Sequence, residues 1–132
     1  MKSLLIDTNI YMHALAGDLE TTDILSYAKK IAICCISIGE LLSGFKGGTR
    51  EKENRKELEE FLDAPRVQIY AIDEDTAEFY EFYAETLNNL RKKGRPIPTN
   101  DIWIASVALQ HGLKLFSKDH HFKYVPGLVI TV

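Results

Sequence analysis

The sequence is poor in cysteine and has no long apolar run. Its two cysteines, Cys34 and Cys35, are adjacent in the chain. Consecutive strand residues point to opposite faces, so a disulfide between these two side chains is geometrically poor. The pair therefore favours buried free thiols in a reducing cytosol over a disulfide-stabilised fold.

The apolar runs are too short for a membrane span or an export signal. The longest, Ile31 to Ile36, suits a buried strand and cannot cross a bilayer. Near the N-terminus, Leu4-Leu5-Ile6 follows Lys2 but stops at Asp7, which is too short for a signal peptide. We therefore expect a cytoplasmic protein that does not associate with a membrane.

The overall charge does not decide the partner. The formal net charge of −3 argues at first against nucleic acid. If bound metal neutralised four of the carboxylates, the remaining charge would turn slightly positive, so the local distribution of charge matters more. The 132 residues, with 45% apolar and 27% charged content, predict one folded domain over residues 1–132.

Strand and helix patterns alternate along the chain. This alternation predicts an α/β fold, an α/β/α sandwich with a central, mostly parallel sheet of four to five strands. The predicted strands are Lys2–Ile6, Ile31–Ile36, Val67–Ile72, Leu113–Phe116 and Leu128–Val132, the last at an edge. The predicted helices are Asn9–Leu15, Thr22–Lys30, Ser37–Phe45, Glu51–Leu62, Glu74–Lys93 and Ile102–His111.

Four acidic side chains lie where predicted strands end or predicted helices begin. Asp7 and Asp119 follow strands, Glu40 lies one turn into a helix, and Asp101 opens the helix after a proline-containing loop. Ligands of parallel sheets bind at the carboxyl ends of the strands, and right-handed crossovers can bring these positions to one edge. Crowded carboxylates repel each other and need a partner, for which a hard divalent cation is the natural candidate.

Each acid, taken alone, also has a purely structural explanation. Asp7 can cap the first helix, and Ser37 to Glu40 fits the capping box S-x-x-E. Asp101 can complement a helix dipole in a first turn, and Asp119 can be a turn residue. Only their joint placement at one predicted edge favours a shared site.

Four segments around these acids resemble the motifs of one nuclease family. They are Leu5–Asn9 (LIDTN), Ile36–Gly44 (ISIGELLSG), Pro98–Ser106 (PTNDIWIAS) and Leu115–Phe122 (LFSKDHHF). In this order and at these separations they resemble the PIN-domain ribonucleases, most closely the VapC-type toxins of bacterial and archaeal toxin–antitoxin pairs. The similarity covers essentially the whole chain.

The resemblance implies a fold, an activity and a set of site residues. A PIN-like domain would be a metal-dependent endoribonuclease, a hydrolase that uses one or two Mg²⁺ or Mn²⁺ ions and leaves a 5′-phosphate and a 3′-hydroxyl. Asp7, Glu40 and Asp101 would be catalytic acids that hold the ion, and Asp119 would complete the set directly or through water. The polar groups that would support these ligands or orient the substrate are Thr8, Asn9, Ser37 and Thr99.

The resemblance also implies partners. VapC-type proteins form homodimers and are inhibited by a small antitoxin that covers the active groove, and aromatic residues on the long predicted helix would suit a dimer face. For the RNA backbone, the run from Arg91 to Arg95 is the better candidate of two basic stretches, because the other is interleaved with acids. Its basic residues are Arg91, Lys92, Lys93 and Arg95.

Several alternatives remain open from the sequence. His120 and His121 can contact phosphate, but plain surface histidines are the favoured interpretation. A PIN-type RNA-processing nuclease without an antitoxin and a non-catalytic interaction module of the same fold both remain, although four intact acids count against the module. A phosphoacceptor domain would need an acceptor at the end of a central strand, and Asp73 after Ile69–Ile72 is its candidate.

Overall fold

The computed structural model describes residues 3–131, and within them the sheet has five strands, all paired in parallel. The strand order is β3-β2-β1-β4-β5. The strands are β1 (Leu4–Ile6), β2 (Ile31–Cys34), β3 (Val67–Tyr70), β4 (Lys114–Phe116) and β5 (Ile130–Thr131). The predicted parallel α/β fold is confirmed.

Helices cover both faces of the sheet. Alternate residues of β1 show the two layers, since Leu5 packs into one core cluster while Leu4 and Ile6 pack into the other. The helices are α1 (Thr8–Leu15), α2 (Leu19–Ser26), α3 (Cys35–Lys46), α4 (Glu51–Asp63), α5 (Glu74–Phe82), α6 (Ala84–Lys92) and α7 (Thr99–Gln110), and a 3₁₀ helix spans His120–Tyr124. None of the helices within residues 3–131 is long and apolar enough to cross a membrane.

The junction between β2 and α3 differs from the prediction. The strand ends at Cys34 and the helix begins at Cys35, so the predicted strand Ile31–Ile36 is too long. Cys34 is the N-cap and makes no side-chain cap hydrogen bond, while Ser37 lies inside the helix. The capping-box explanation of Glu40 is therefore wrong. The apolar run continues from the strand into the first helical turn, so hydrophobicity alone does not mark the boundary.

The long predicted helix Glu74–Lys93 is two helices that meet at Tyr83. The side chain of Tyr83 is fully buried, and its hydroxyl donates a hydrogen bond of 3.3 Å to the Pro126 carbonyl oxygen. This hydrogen bond is a tertiary contact that the sequence pattern does not reveal. Phe82, the residue before it, is 65% exposed.

The remaining differences are at element ends. Helix α2 begins at Leu19, because the Asp18 carboxylate accepts a hydrogen bond from the Thr21 N–H at 3.0 Å. Helix α7 begins at Thr99, three residues before the predicted start. The terminal strand pairs with β4 at the sheet edge as expected, through Leu115 and Ile130. Two ends of predicted strands, Lys2 and Val132, lie outside the described residues.

Candidate metal centre

Asp7 directly follows β1 and is the N-cap of α1. Its Oδ1 accepts a hydrogen bond of 2.9 Å from the Ile10 N–H, so the predicted helix-capping role is real. The cap uses one carboxylate oxygen, and the side chain as a whole is only 2% exposed. A cap alone does not require burial, because partly exposed Asp18 and exposed Asp73 also cap their helices.

Ser117 connects Asp7 to the end of the neighbouring strand β4. The hydroxyl of Ser117 donates to Asp7 Oδ2 at 2.5 Å and accepts from the Asp119 N–H at 3.0 Å. Sequence reasoning missed Ser117. The available signal was its position, since it follows a buried strand directly, as Asp7 does.

Glu40 and Asp119 are each held by a neighbour of Asp7. The Thr8 hydroxyl donates to Glu40 Oε1 at 2.6 Å, and Asn9 Nδ2 donates to Asp119 Oδ2 at 3.3 Å. The segment LIDTN thus contacts two acids from distant parts of the chain.

Asp101 and Asp119 lie together with a residue that was not expected at the site. One ligand atom from each of Asp101, Asp119 and His121 can be chosen so that all three atoms are within 4.8 Å of one another. His121 Nε2 lies 2.7 Å from Asp101 Oδ2. The interpretation of His121 as a plain surface histidine is wrong, because its side chain is partly buried against Asp101.

The pKa values of Asp7 and Asp101 show that neighbouring acids disfavour the charged form of each. Burial raises the pKa of Asp7 to about 6, and the charges of Asp119 and Asp101 add to this effect, whereas the hydrogen bond from Ser117 opposes it. Burial also raises the pKa of Asp101. The nearby His121 opposes this effect, and the charges of Asp119 and Glu40 add to it. The four acids therefore share one electrostatic environment.

The described residues provide no lysine or arginine that neutralises this cluster. The salt bridges of Lys46, Arg50 and Lys118 within residues 3–131 go to acids outside it, and Lys118 pairs with Asp18 at 3.4 Å. Several carboxylates in a partly buried site, with only His121 as a nearby basic group, are a costly arrangement in the absence of a cation. The donor set, oxygen-rich and partly desolvated, fits a hard divalent cation.

Two of the predicted supporting residues, Ser37 and Thr99, do not hydrogen-bond to the acids within the described residues as Thr8 and Asn9 do. Ser37 is fully buried in α3, and its Oγ has no hydrogen-bond partner within the described chain. Thr99 is exposed at the start of α7, and no hydrogen bond joins its side chain to the four acids in the range 3–131. The basic run is exposed near the site, and Arg95 Nη1 donates to the Tyr124 hydroxyl at 3.4 Å, in the 3₁₀ helix that contains His121.

Comparisons with known proteins show which proteins this chain resembles. "Ribonuclease VapC1" of Rickettsia felis is 31% identical over 131 residues, which cover 98% of this chain and 96% of the relative. "Ribonuclease VapC4" of Mycobacterium tuberculosis is 25% identical and covers 100% and 98%, respectively. The crystal structure of VapBC2 from Rickettsia felis, bound to a promoter DNA fragment, contains a chain that matches with a TM-score of 0.80 and 26% identity, covering 98% of this chain and 97% of that one.

The match to a family profile is equally extensive. The profile of the PIN domain aligns with residues 4–128, which include all four acids and the whole parallel sheet up to its last strand. On this evidence, the chain is a member of the PIN domain family.

Proposed function

We propose that this chain, as a single domain, is a divalent-metal-dependent endoribonuclease and the toxin of a toxin–antitoxin pair. The observation that carries the proposal is the burial of Asp7 beside the charges of Asp101 and Asp119, with its pKa raised to about 6. Such a site is stabilised when a cation binds and is costly when it is empty. Family membership and relatives named as ribonucleases support RNA as the substrate.

The residues of the proposed site have distinct tasks. Asp7, Glu40, Asp101 and Asp119 hold one or two ions of Mg²⁺ or Mn²⁺. A bound ion of this kind supplies Lewis-acid polarisation of a phosphodiester oxygen and lowers the pKa of water. The supporting hydroxyl and amide groups hold the carboxylates in place before the ion binds. The carboxylates therefore lose less conformational freedom on binding.

The surroundings of Glu40 offer space for substrate. An open cavity of about 410 Å³ adjoins Thr8 and Glu40, and Arg50 and Asn54 also line it. The exposed basic run ending at Arg95 would bind the RNA backbone without reading its sequence. Together these surfaces support binding of a nucleic-acid strand across the acidic site.

The proposed partners follow from the relatives. Similar chains occur in structures described as VapBC and as toxin–antitoxin complexes. We therefore include in the proposal a small antitoxin that covers the site, and a homodimer. Exposed Phe82 is available for such an interface.

The phosphoacceptor alternative loses its structural basis. Asp73 follows β3, which is an edge strand and not a central one. The Asp73 side chain is occupied in a capping box with Thr76 and also accepts a hydrogen bond from Gln110. Neither Asp73 nor its surroundings belongs to the acidic cluster.

The direct test is RNA cleavage by purified variants. Wild type, Asp7→Asn and Asp101→Asn are assayed with Mg²⁺ or Mn²⁺, and exposed Asp23→Asn is the matched control. We expect both site variants to lose at least about 100-fold in rate and the control to lose nothing. Undiminished cleavage by either site variant would remove that residue from the mechanism. Growth arrest on induction, relieved by co-expression of a candidate antitoxin, tests the toxin assignment separately.

A further inference from the structure

We propose that His121 is an additional ligand of the metal centre, through Nε2, and that it makes the centre prefer Mn²⁺ to Mg²⁺. The proposal rests on the metal site of the proposed function but concerns a residue outside the four acids. It assigns a nitrogen donor to a site that the acids alone would make all-oxygen.

The position of Nε2 agrees with ligation. It lies 2.7 Å from Asp101 Oδ2. One ligand atom each from Asp101, Asp119 and His121 can be chosen so that every pair is within 4.8 Å. Two adjacent ligands of an octahedral ion at about 2.1 Å are about 3 Å apart, and opposite ligands are about 4.2 Å apart. Small side-chain adjustments therefore bring all three atoms to one ion.

The hydrogen-bonding state of Nε2 points the same way. This atom is buried and lies within ion-pair distance of Asp101 Oδ2, but the ring N–H is not directed at that oxygen, so Nε2 has no well-directed hydrogen bond within residues 3–131. Buried polar atoms almost always have a partner. A metal ion between the ring and the carboxylates would supply one.

The chain holds the ring in this position. His121 belongs to the 3₁₀ helix that starts one residue after Asp119, so both ligands come from one short segment. Its ring packs on Phe122 with centroids 4.8 Å apart, and Phe122 is fully buried. The neighbouring His120 has the same chemistry but is exposed, which makes it a natural control.

The consequence is a change in ion selectivity. Mg²⁺ takes oxygen ligands and retains water, whereas imidazole favours first-row transition metals. One imidazole among carboxylates leaves the site suitable for Mn²⁺, which accepts both donor types. The preference for Mn²⁺ over Mg²⁺ should therefore depend on His121.

The experiment measures Mn²⁺ binding without RNA. Wild type, His121→Gln and His120→Gln are titrated with Mn²⁺, free ion is counted by electron paramagnetic resonance, and Mg²⁺ is then added as competitor. Pulsed electron paramagnetic resonance of the bound Mn²⁺ detects hyperfine coupling to a directly ligated ¹⁴N. We expect this coupling in wild type and His120→Gln and its loss in His121→Gln, together with a fall on the order of 10-fold or more in the Mn²⁺/Mg²⁺ preference.

Two outcomes would overturn the proposal. The first is wild-type Mn²⁺ without ¹⁴N coupling. The second is an unchanged or tighter Mn²⁺ affinity in His121→Gln, which would make His121 an ion-pair partner of Asp101 that competes with the metal. Parallel titration of Asp101→Asn separates this from failure of the proposed function. If Asp101→Asn abolishes binding while His121→Gln binds Mn²⁺ as tightly as wild type, the acidic site stands and only the histidine ligand is wrong.

Discussion

The hydroxyl of Ser117 fixes the buried carboxylate of Asp7 through a hydrogen bond of 2.5 Å between residues 110 positions apart in sequence. The same oxygen accepts the N–H of Asp119, so one side chain ties together the ends of β1 and β4. Ser117 is therefore a positioning residue whose removal should disturb the metal centre more than the fold.

Ser117→Ala tests this role. We expect the metal affinity to fall by about 10- to 100-fold, because Asp7 loses the partner that orients it, and the pKa of Asp7 to rise further. Isothermal titration with Mn²⁺ measures the affinity. Ser106→Ala is the matched control, since Ser106 is equally buried but donates to the Ile102 carbonyl inside α7. Equal metal affinity in the two variants would refute the positioning role.

The raised pKa of Asp7 predicts how stability depends on pH without metal. Its pKa is about 6 in the folded protein against a reference of 3.8, so the folded state holds this proton more tightly than the unfolded state. Ionisation of Asp7 therefore destabilises the folded state. This loss of stability is absent below about pH 4, grows as the pH rises, and is complete above about pH 6. With a chelator present, the free energy of unfolding should therefore decrease from pH 4 to pH 7.

Asp7→Asn should remove much of that decrease. At pH 7 in chelator, the free energy of unfolding of the variant should exceed that of wild type by about 2 to 3 kcal/mol, because asparagine keeps the cap acceptor but carries no buried charge. Urea denaturation at several pH values measures this, with Asp23→Asn as the exposed control. A wild type whose stability does not change between pH 4 and 7, or a variant that retains the full slope, would show that Asp7 does not carry the penalty.

The hydrogen bond from Thr8 to Glu40 predicts a different pair of variants. Thr8→Val keeps the shape of the side chain but removes the donor that lies 2.6 Å from Glu40 Oε1. We expect kcat for RNA cleavage to fall by about 10-fold or more, while Thr8→Ser, which retains the hydroxyl, stays near wild type. If valine and serine variants cleave RNA equally, the orientation of Glu40 does not depend on this bond.

The basic run at the C-terminal end of α6 predicts the salt dependence of RNA binding. Removing both charges in Lys92→Gln/Lys93→Gln should weaken binding to all RNA sequences alike and reduce the slope of log Kd against log salt by about 1 to 2. Lys52→Gln/Lys56→Gln is the control, because these exposed lysines lie on the acid-rich helix α4. A slope that changes in the control but not in the test variant would place the RNA path on the other stretch.

The sequence predicts those parts of the molecule that depend on local pattern. The parallel sheet follows from the alternation of elements. The acids are recognisable because each lies near the end of a strand or near the start of a helix. Thr8 and Asn9 could be assigned because they adjoin Asp7 in a motif. These features need no knowledge of contacts between distant residues.

What the sequence does not predict depends on tertiary contacts. The role of Ser117 requires two strand ends to be neighbours, and that of His121 requires a 3₁₀ helix to turn its ring towards α7. The break at Tyr83 likewise depends on burial of its ring and the contact of its hydroxyl with Pro126. Periodicity gives no information on such pairs, and a capping pattern such as Ser37 to Glu40 can occur inside a helix.

Anomalous diffraction from a crystal grown with Mn²⁺ locates the ion itself. The account predicts a peak about 2.0–2.6 Å from carboxylate oxygens of Asp7 and Asp101, with Glu40 and Asp119 bound directly or through water. No peak within about 5 Å of these two aspartates, at a Mn²⁺ concentration that supports RNA cleavage, would contradict the claim that four separate segments of the chain build one cation site.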